Sequence, residues 1–165
     1  MNILHISEIV DLGIEKEKMR RDFYARAAKK FNDNKELKTL FNELTGWEEI
    51  HIKKFTDIRN ALGKDEAAQA YPGELNAYMQ TVVNEKLYSN ISVKEFDTNI
   101  TTAFDAIYYG IEFEKEAILF FNELLRYTTE GQKEVIQKLI DEEKQHIVFL
   151  ALLQQKLIGQ KKDKL

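Results

Sequence analysis

Apolar residues recur along this chain at intervals of three and four. Ile107, Ile111, Ile118, Phe121 and Leu125 mark one stripe, and Phe41, Leu44, Phe55, Ile58 and Leu62 mark a second. Ile136, Leu139, Leu150, Leu153 and Leu157 form a third, and Val10, Ile14, Tyr24, Ala28 and Phe31 share a less regular fourth face. Such spacing belongs to amphipathic helices packed at shallow angles. It predicts helices over about 6–32, 34–63, 98–128 and 131–158, with breaks at Asn32-Asp33-Asn34, Gly63-Lys64-Asp65 and Thr128-Thr129-Glu130-Gly131. The short links make two antiparallel hairpins. The one long connection, 63–97, holds Tyr71-Pro72-Gly73 and a short amphipathic helix near 74–88. The expectation is an all-α four-helix bundle forming one domain over 1–165, with Gly159 to Leu165 frayed.

Each stripe is interrupted by acid or imidazole. Glu114 lies between Ile111 and Ile118, Glu48 and His51 fill the gap in the second stripe, and Glu143 and His146 interrupt the third. Glu17 shares the face of the first helix. These interruptions repeat. Gly13-Ile14-Glu15-Lys16-Glu17-Lys18 recurs as Gly110-Ile111-Glu112-Phe113-Glu114-Lys115, identical at five of six residues with an offset of 97. Glu48-Glu49-Ile50-His51-Ile52 matches Glu143-Lys144-Gln145-His146-Ile147 at an offset of 95. Residues 1–62 and 98–160 therefore read as two copies of one hairpin. Packed about a pseudo-twofold, they bring the same positions to one place.

The spacing dictates the chemistry. In E-x-x-H the carboxylate and imidazole lie one turn apart on one helix face and can share an ion. Two such pairs plus one Glu from each remaining helix supply four carboxylates and two imidazoles. Two divalent cations would neutralise those four charges. Glu48 and Glu143 would bridge the ions, Glu17 and Glu114 would be terminal ligands, and His51 and His146 would each complete one ion. Carboxylate–imidazole ligation favours iron or manganese, and zinc can use the same atoms.

A lone E-x-x-H is a weak signal. Glu occupies 19 of 165 positions, so any His has about one chance in nine of following a Glu at this spacing. Here two of the three His residues do, each within an apolar stripe and at matching repeat positions. Without metal, four carboxylates would be buried against Leu, Ile and Phe, at a cost of several kcal/mol per unpaired ion. His5 lacks the pattern and reads as a surface residue. Phase selects Glu114 over Glu112, and the repeat then selects Glu17 over Glu15.

Composition narrows the rest. Without Cys there are no disulfides, no thiolate catalysis, no Cys-ligated zinc and no iron–sulfur or rubredoxin-type centre in these residues. The 24 basic against 28 acidic residues, without a basic stripe, argue against nucleic acid. No apolar run is long enough to span a membrane and the N-terminus lacks a secretion pattern, so a cytoplasmic location is expected. With four carboxylates assigned to the core, the remaining 24 acids balance the 24 bases outside.

The repeat is broken at two positions near the cluster. Arg20 stands where the second copy has Ala117, and is expected to snorkel past the bundle to the surface, with charge neutralisation behind the site as the alternative. Tyr24 stands opposite Phe121; it either hydrogen-bonds a ligand carboxylate, acts as a redox-active neighbour, or serves as an aromatic spacer. Trp47 reads as packing.

Glu17 with Tyr24, Glu48-x-x-His51, Glu114, and Glu143-x-x-His146, joined by a long crossover, resemble the rubrerythrin-type branch of the ferritin-like diiron proteins over roughly 6–158. The resemblance implies a ferritin-like four-helix bundle holding two irons, which reduce hydrogen peroxide with electrons arriving through a rubredoxin centre. Two departures stand out. These residues hold no Cys for a rubredoxin domain, so electrons are expected from a separate donor such as a rubredoxin. The further carboxylate ligand of rubrerythrins, one turn past the Glu of the third helix, is here Ala117. The expected centre is the simpler, symmetric six-ligand version.

Three functions follow as expectations. The first is a non-haem diiron oxidoreductase acting on peroxide or dioxygen in oxidative-stress defence. The second is a ferroxidase or iron-handling protein, and the third a metal-stabilised bundle without turnover. A homodimer is expected, with Tyr71, Tyr78, Met79 and Tyr88 of the crossover offering apolar area.

Overall fold

A computed structural model describes residues 5–63, 77–78, 80–81 and 92–162. Its long helices are α1 (Ile6–Lys30), α2 (Lys35–Ala61), α4 (Ala103–Leu124) and α5 (Glu130–Lys162), with a short α3 (Val93–Asn99) entering the second hairpin. No strand element occurs among the described residues. Local chemistry sets the ends. Asn34 Oδ1 accepts from the backbone N–H groups of Glu36 and Leu37 at 3.0 and 3.1 Å, satisfying donors that the first turn of α2 leaves open.

Two boundaries differ from the periodicity. The third long helix begins at Ala103 rather than 98, because Thr102 and Asp105 form a capping box that stops the chain and restarts it. Residues 93–99 form α3 instead. The last helix continues to Lys162, into the segment expected to fray, whose final residues lie outside the described ones. Of the predicted crossover helix near 74–88, residues 77, 78, 80 and 81 are helical. The rest, with Tyr71, Met79 and Tyr88, lies outside the described residues.

α1 packs on α2 and α4 on α5, while α1–α4 and α2–α5 contacts join the hairpins. Every long helix contributes an apolar segment, a polar centre and a second apolar segment. One apolar cluster gathers Phe23, Tyr24, Phe41, Leu44, Ile107, Phe113 and Leu150; the other gathers Ile9, Val10, Phe55, Ile58, Phe120, Phe121, Ile136 and Leu139. The acidic positions form the layer between them.

The repeat glycines bring the hairpins close. A Cβ on Gly13 would meet the Phe120 ring at 3.0 Å, and one on Gly110 would meet the Tyr24 ring at 3.2 Å. Phe120 and Tyr24 each cross to the opposite hairpin over the glycine that admits them. Among the described residues, no helix is long and apolar enough to cross a membrane.

Candidate metal centre

All six predicted positions converge on the polar layer. Glu17, Glu48, Glu114 and Glu143 have no solvent exposure, and His51 and His146 are buried. The residues set aside by phase and repeat lie outside it: Glu15 pairs with Lys18 and Glu112 with Lys115, each at 2.7 Å. His5 is half-buried at the start of α1, where its backbone N–H donates to Glu8 at 2.8 Å.

Both imidazoles turn Nδ1 inward. His51 Nδ1 lies 3.0 Å from Glu143 Oε1, 3.5 Å from Glu48 Oε2 and 3.7 Å from Glu17 Oε2. His146 Nδ1 lies 2.7 Å from Glu143 Oε2, 3.7 Å from Glu114 Oε1 and 3.8 Å from Glu48 Oε1. The rings are near-parallel, with centroids 5.5 Å apart. Donor atoms fall into two four-residue groups, Glu17/Glu48/His51/Glu143 and Glu48/Glu114/Glu143/His146, and a third of His51, Glu143 and His146, each with its atoms within 4.8 Å of one another. Glu48 and Glu143 belong to both four-residue groups.

The donor set fits metal ligation. Among the described residues, eleven buried side-chain polar atoms lack a hydrogen-bond partner, and eight belong to these six side chains. They include both oxygens of Glu48 and Glu143 and the Nδ1 atoms of both His residues. Buried polar groups are otherwise almost always satisfied, so this concentration of open donors marks a place shaped for ligands. His51 Nδ1 and Glu143 Oε1 are near enough to attract as an ion pair but lack hydrogen-bond alignment.

Among these side chains, burial and neighbouring charges set the protonation. Burial pushes Glu17 up to about 8, against the lowering pull of Arg20. Burial and the neighbouring Glu143 charge also raise Glu114. Burial alone would lower His146, but the adjacent Glu114 and Glu143 carboxylates raise it to about 10. His51 likewise rises well above the ordinary imidazole range, because Glu143 and Glu142 outweigh its burial. Glu143 is itself held below the usual carboxylate range: burial opposes this, and His51 and His146 prevail.

The surroundings correct the sequence reading at Arg20. It does not snorkel: it is 1% exposed, and its guanidinium donates to Glu17. Arg20 Nε lies 3.6 Å from Glu48 Oε2, and another guanidinium nitrogen lies 4.0 Å from Glu116 Oε2. Four carboxylates would otherwise face one another undiluted, and an arginine one turn after Glu17 reaches two of them. Lys16 and Glu116 form a buried pair beside it, which the repeat pattern did not flag. Among the described residues, Lys16, Arg20, Glu116 and Glu123 add two buried bases and two buried acids. These four offset one another in charge.

Tyr24 resolves as a hydrogen-bond partner. Its hydroxyl donates to Glu114 Oε1 and lies 3.4 Å from the Gly110 carbonyl oxygen. Burial and the adjacent carboxylates raise its pKa well above the phenol range, so the proton stays on oxygen.

Glu142, missed because it precedes the conspicuous Glu143, accepts from His51 Nε2 at 3.0 Å and is held by Lys54 at 2.8 Å. The His51 bond, with Lys54, lowers Glu142 to about 2. The offset of 95 matches Glu142 with Trp47, which stacks on His146 at 4.8 Å. Trp47 is thus packing against an imidazole. The repeat held the signal: each of these two residues contacts the other hairpin's His. A surface cavity of about 290 Å³ opens beside both imidazoles, between Trp47 and Phe149.

The family model for rubrerythrin matches residues 8–154. The chain belongs to the rubrerythrin family. A comparison with curated proteins returns no match. A solved structure from Thermotoga maritima, assigned as a ferritin-like diiron-carboxylate protein, is similar with a TM-score of 0.70. It shares 21% identity, with 94% of this chain and 97% of that chain covered. This likeness supports the ferritin-like bundle, and the rubrerythrin assignment agrees with the buried Glu/His layer as a candidate iron site.

Proposed function

We propose that this rubrerythrin-family protein is a non-haem diiron oxidoreductase that reduces hydrogen peroxide, or dioxygen, in oxidative-stress defence. One observation carries the reading: the unpartnered donors sort into two four-residue groups that share Glu48 and Glu143. Glu17 with His51 and Glu114 with His146 would complete the two positions, and manganese or zinc could occupy the same atoms. Two Fe(II) ions held there would supply the two electrons that cleave an O–O bond.

The remaining work belongs to the side chains. Reducing one peroxide to two waters consumes two protons as well as two electrons. Tyr24 keeps a proton directed at Glu114 and so positions a hydroxyl beside the layer. Arg20 offsets part of the carboxylate charge, and the flanking apolar clusters exclude bulk water. Because these residues contain no Cys, re-reduction calls for a separate donor such as a rubredoxin. A homodimer is the proposed assembly.

Adding peroxide and dioxygen separately to anaerobically loaded diferrous protein tests the proposal. The expected result is oxidation by about one peroxide per two irons, followed by re-reduction with added reduced rubredoxin. Inertness to peroxide, with dioxygen consumption and continuing iron uptake, would instead identify a ferroxidase.

A further inference from the structure

The repeat allows the two halves of the polar layer to be compared position by position, and their charges differ. Position 20 is Arg where its mate 117 is Ala, and position 16 is Lys where its mate 113 is Phe. Each terminal carboxylate has one oxygen engaged. Glu17 Oε1 accepts from the Arg20 guanidinium, whereas Glu114 Oε1 accepts from the neutral Tyr24 hydroxyl. Nearby charges largely offset one another: Lys16 pairs with Glu116, and Lys54 pairs with Glu142 behind His51. Arg20 lies between these pairs and the shared acids, 1% exposed, 3.6 Å from Glu48 and 4.0 Å from Glu116.

We propose that Arg20 makes the two metal positions unequal, so that Glu114–His146 fills first and Glu17–His51 fills second. The proposal rests on the dinuclear reading above. A guanidinium does not deprotonate, so a cation arriving at Glu17 cannot displace its charge as a proton. It must bind against a fixed positive neighbour in surroundings that screen poorly, at a carboxylate with one oxygen already engaged. A cation at Glu114 meets a hydroxyl dipole, and the phenol can rotate its proton aside. The shared ligands Glu48 and Glu143 serve both positions and do not discriminate. At limiting metal the chain holds a single ion on the second hairpin's side.

Manganese(II) titration of the metal-free protein, followed by calorimetry and electron paramagnetic resonance, tests the order. The first ion is expected to bind at least roughly tenfold more tightly than the second. Isolated Mn(II) signals should grow to one equivalent and give way to coupled pairs beyond it. His51→Ala should retain the tight step, and His146→Ala should lose it. Arg20→Met should tighten the second step by roughly 10- to 100-fold, drawing the two together.

If Arg20→Met does not fold without metal, the two His variants and the wild-type spectra still decide the order. Equal steps in the wild type, or a tight step that survives His146→Ala and vanishes in His51→Ala, would overturn the proposal while leaving two ions in place. An unchanged second step in folded Arg20→Met would remove Arg20 as the cause. Fewer than two ions at saturation would defeat the dinuclear reading itself.

Discussion

The two hairpins present the same acids through different supports. α1–α2 brings Glu17 and His51 to the centre with a buried arginine on Glu17 and a carboxylate, Glu142, on the outer face of His51. α4–α5 brings Glu114 and His146 with a tyrosine hydroxyl on Glu114 and an indole stacked on His146. Each hairpin receives part of its support from the other: Tyr24 crosses from α1 to Glu114, and Glu142 from α5 to His51. The donors match while their electrostatic environments differ. A duplicated site can therefore keep a common ligand plan and still divide labour between its halves.

The largest break in that comparison comes from the acids common to both halves. Glu143→Ala, or Glu48→Ala, is expected to lower bound metal to near zero, measured as metal content after loading and desalting. Retention of both ions would remove these residues from the site. Next come the terminal acids taken singly. Glu17→Ala and Glu114→Ala should each leave about one ion per chain, and loss of both ions in either variant would show that the halves are not separable.

Protonation sharpens the contrast between metal-free and loaded protein. Glu17 in the fold keeps its proton to about 8, against an ordinary 4.5, so the stability it contributes below 4.5 is lost as pH rises toward 8. His146 is raised from 6.5 to about 10, with the same sign over that window. The windows overlap between pH 6.5 and 8. There the metal-free protein should lose at least roughly 2–4 °C of melting temperature as pH rises. Loading metal expels these protons and should flatten the dependence. A metal-free melting temperature that rises across this range would contradict the assignment.

Smaller effects concern the packing that aligns the halves. Gly110→Ala should cost about 1–3 kcal/mol, since the added methyl meets the Tyr24 ring and Leu150 at 3.2 Å. Tyr24→Phe copies the residue found at the mate position. It should cost about 0.5–1.5 kcal/mol in denaturant unfolding while leaving metal content unchanged. A loss of metal in that variant would make the hydroxyl part of the binding apparatus.

The bundle and the six converging positions were legible because helical phase and internal repetition both depend on spacing, which sequence displays directly. Glu114 sits in phase with Ile111 and Ile118, and the offset carries that phase to Glu17. The supporting contacts were less visible for a physical reason. Arg20, Lys16 and Glu142 have long side chains whose destinations depend on neighbouring helices. Arg20 is buried because Glu48 and Glu116, on other helices, face it together with Glu17 one turn back on its own helix, and no periodicity in α1 alone displays the two partners across the bundle. The helix start at Ala103 was obscured similarly: Phe96 and Ile100 continue the apolar spacing through a stop made by Thr102 and Asp105.

Two copies of one hairpin are proposed to build a site for two metal ions. Anaerobic Fe(II) titration of the metal-free protein, with bound iron counted per chain, tests it most directly. Saturation at two irons is expected, with Glu143→Ala binding neither. No bound iron after careful loading, or two irons retained by Glu143→Ala, would contradict it.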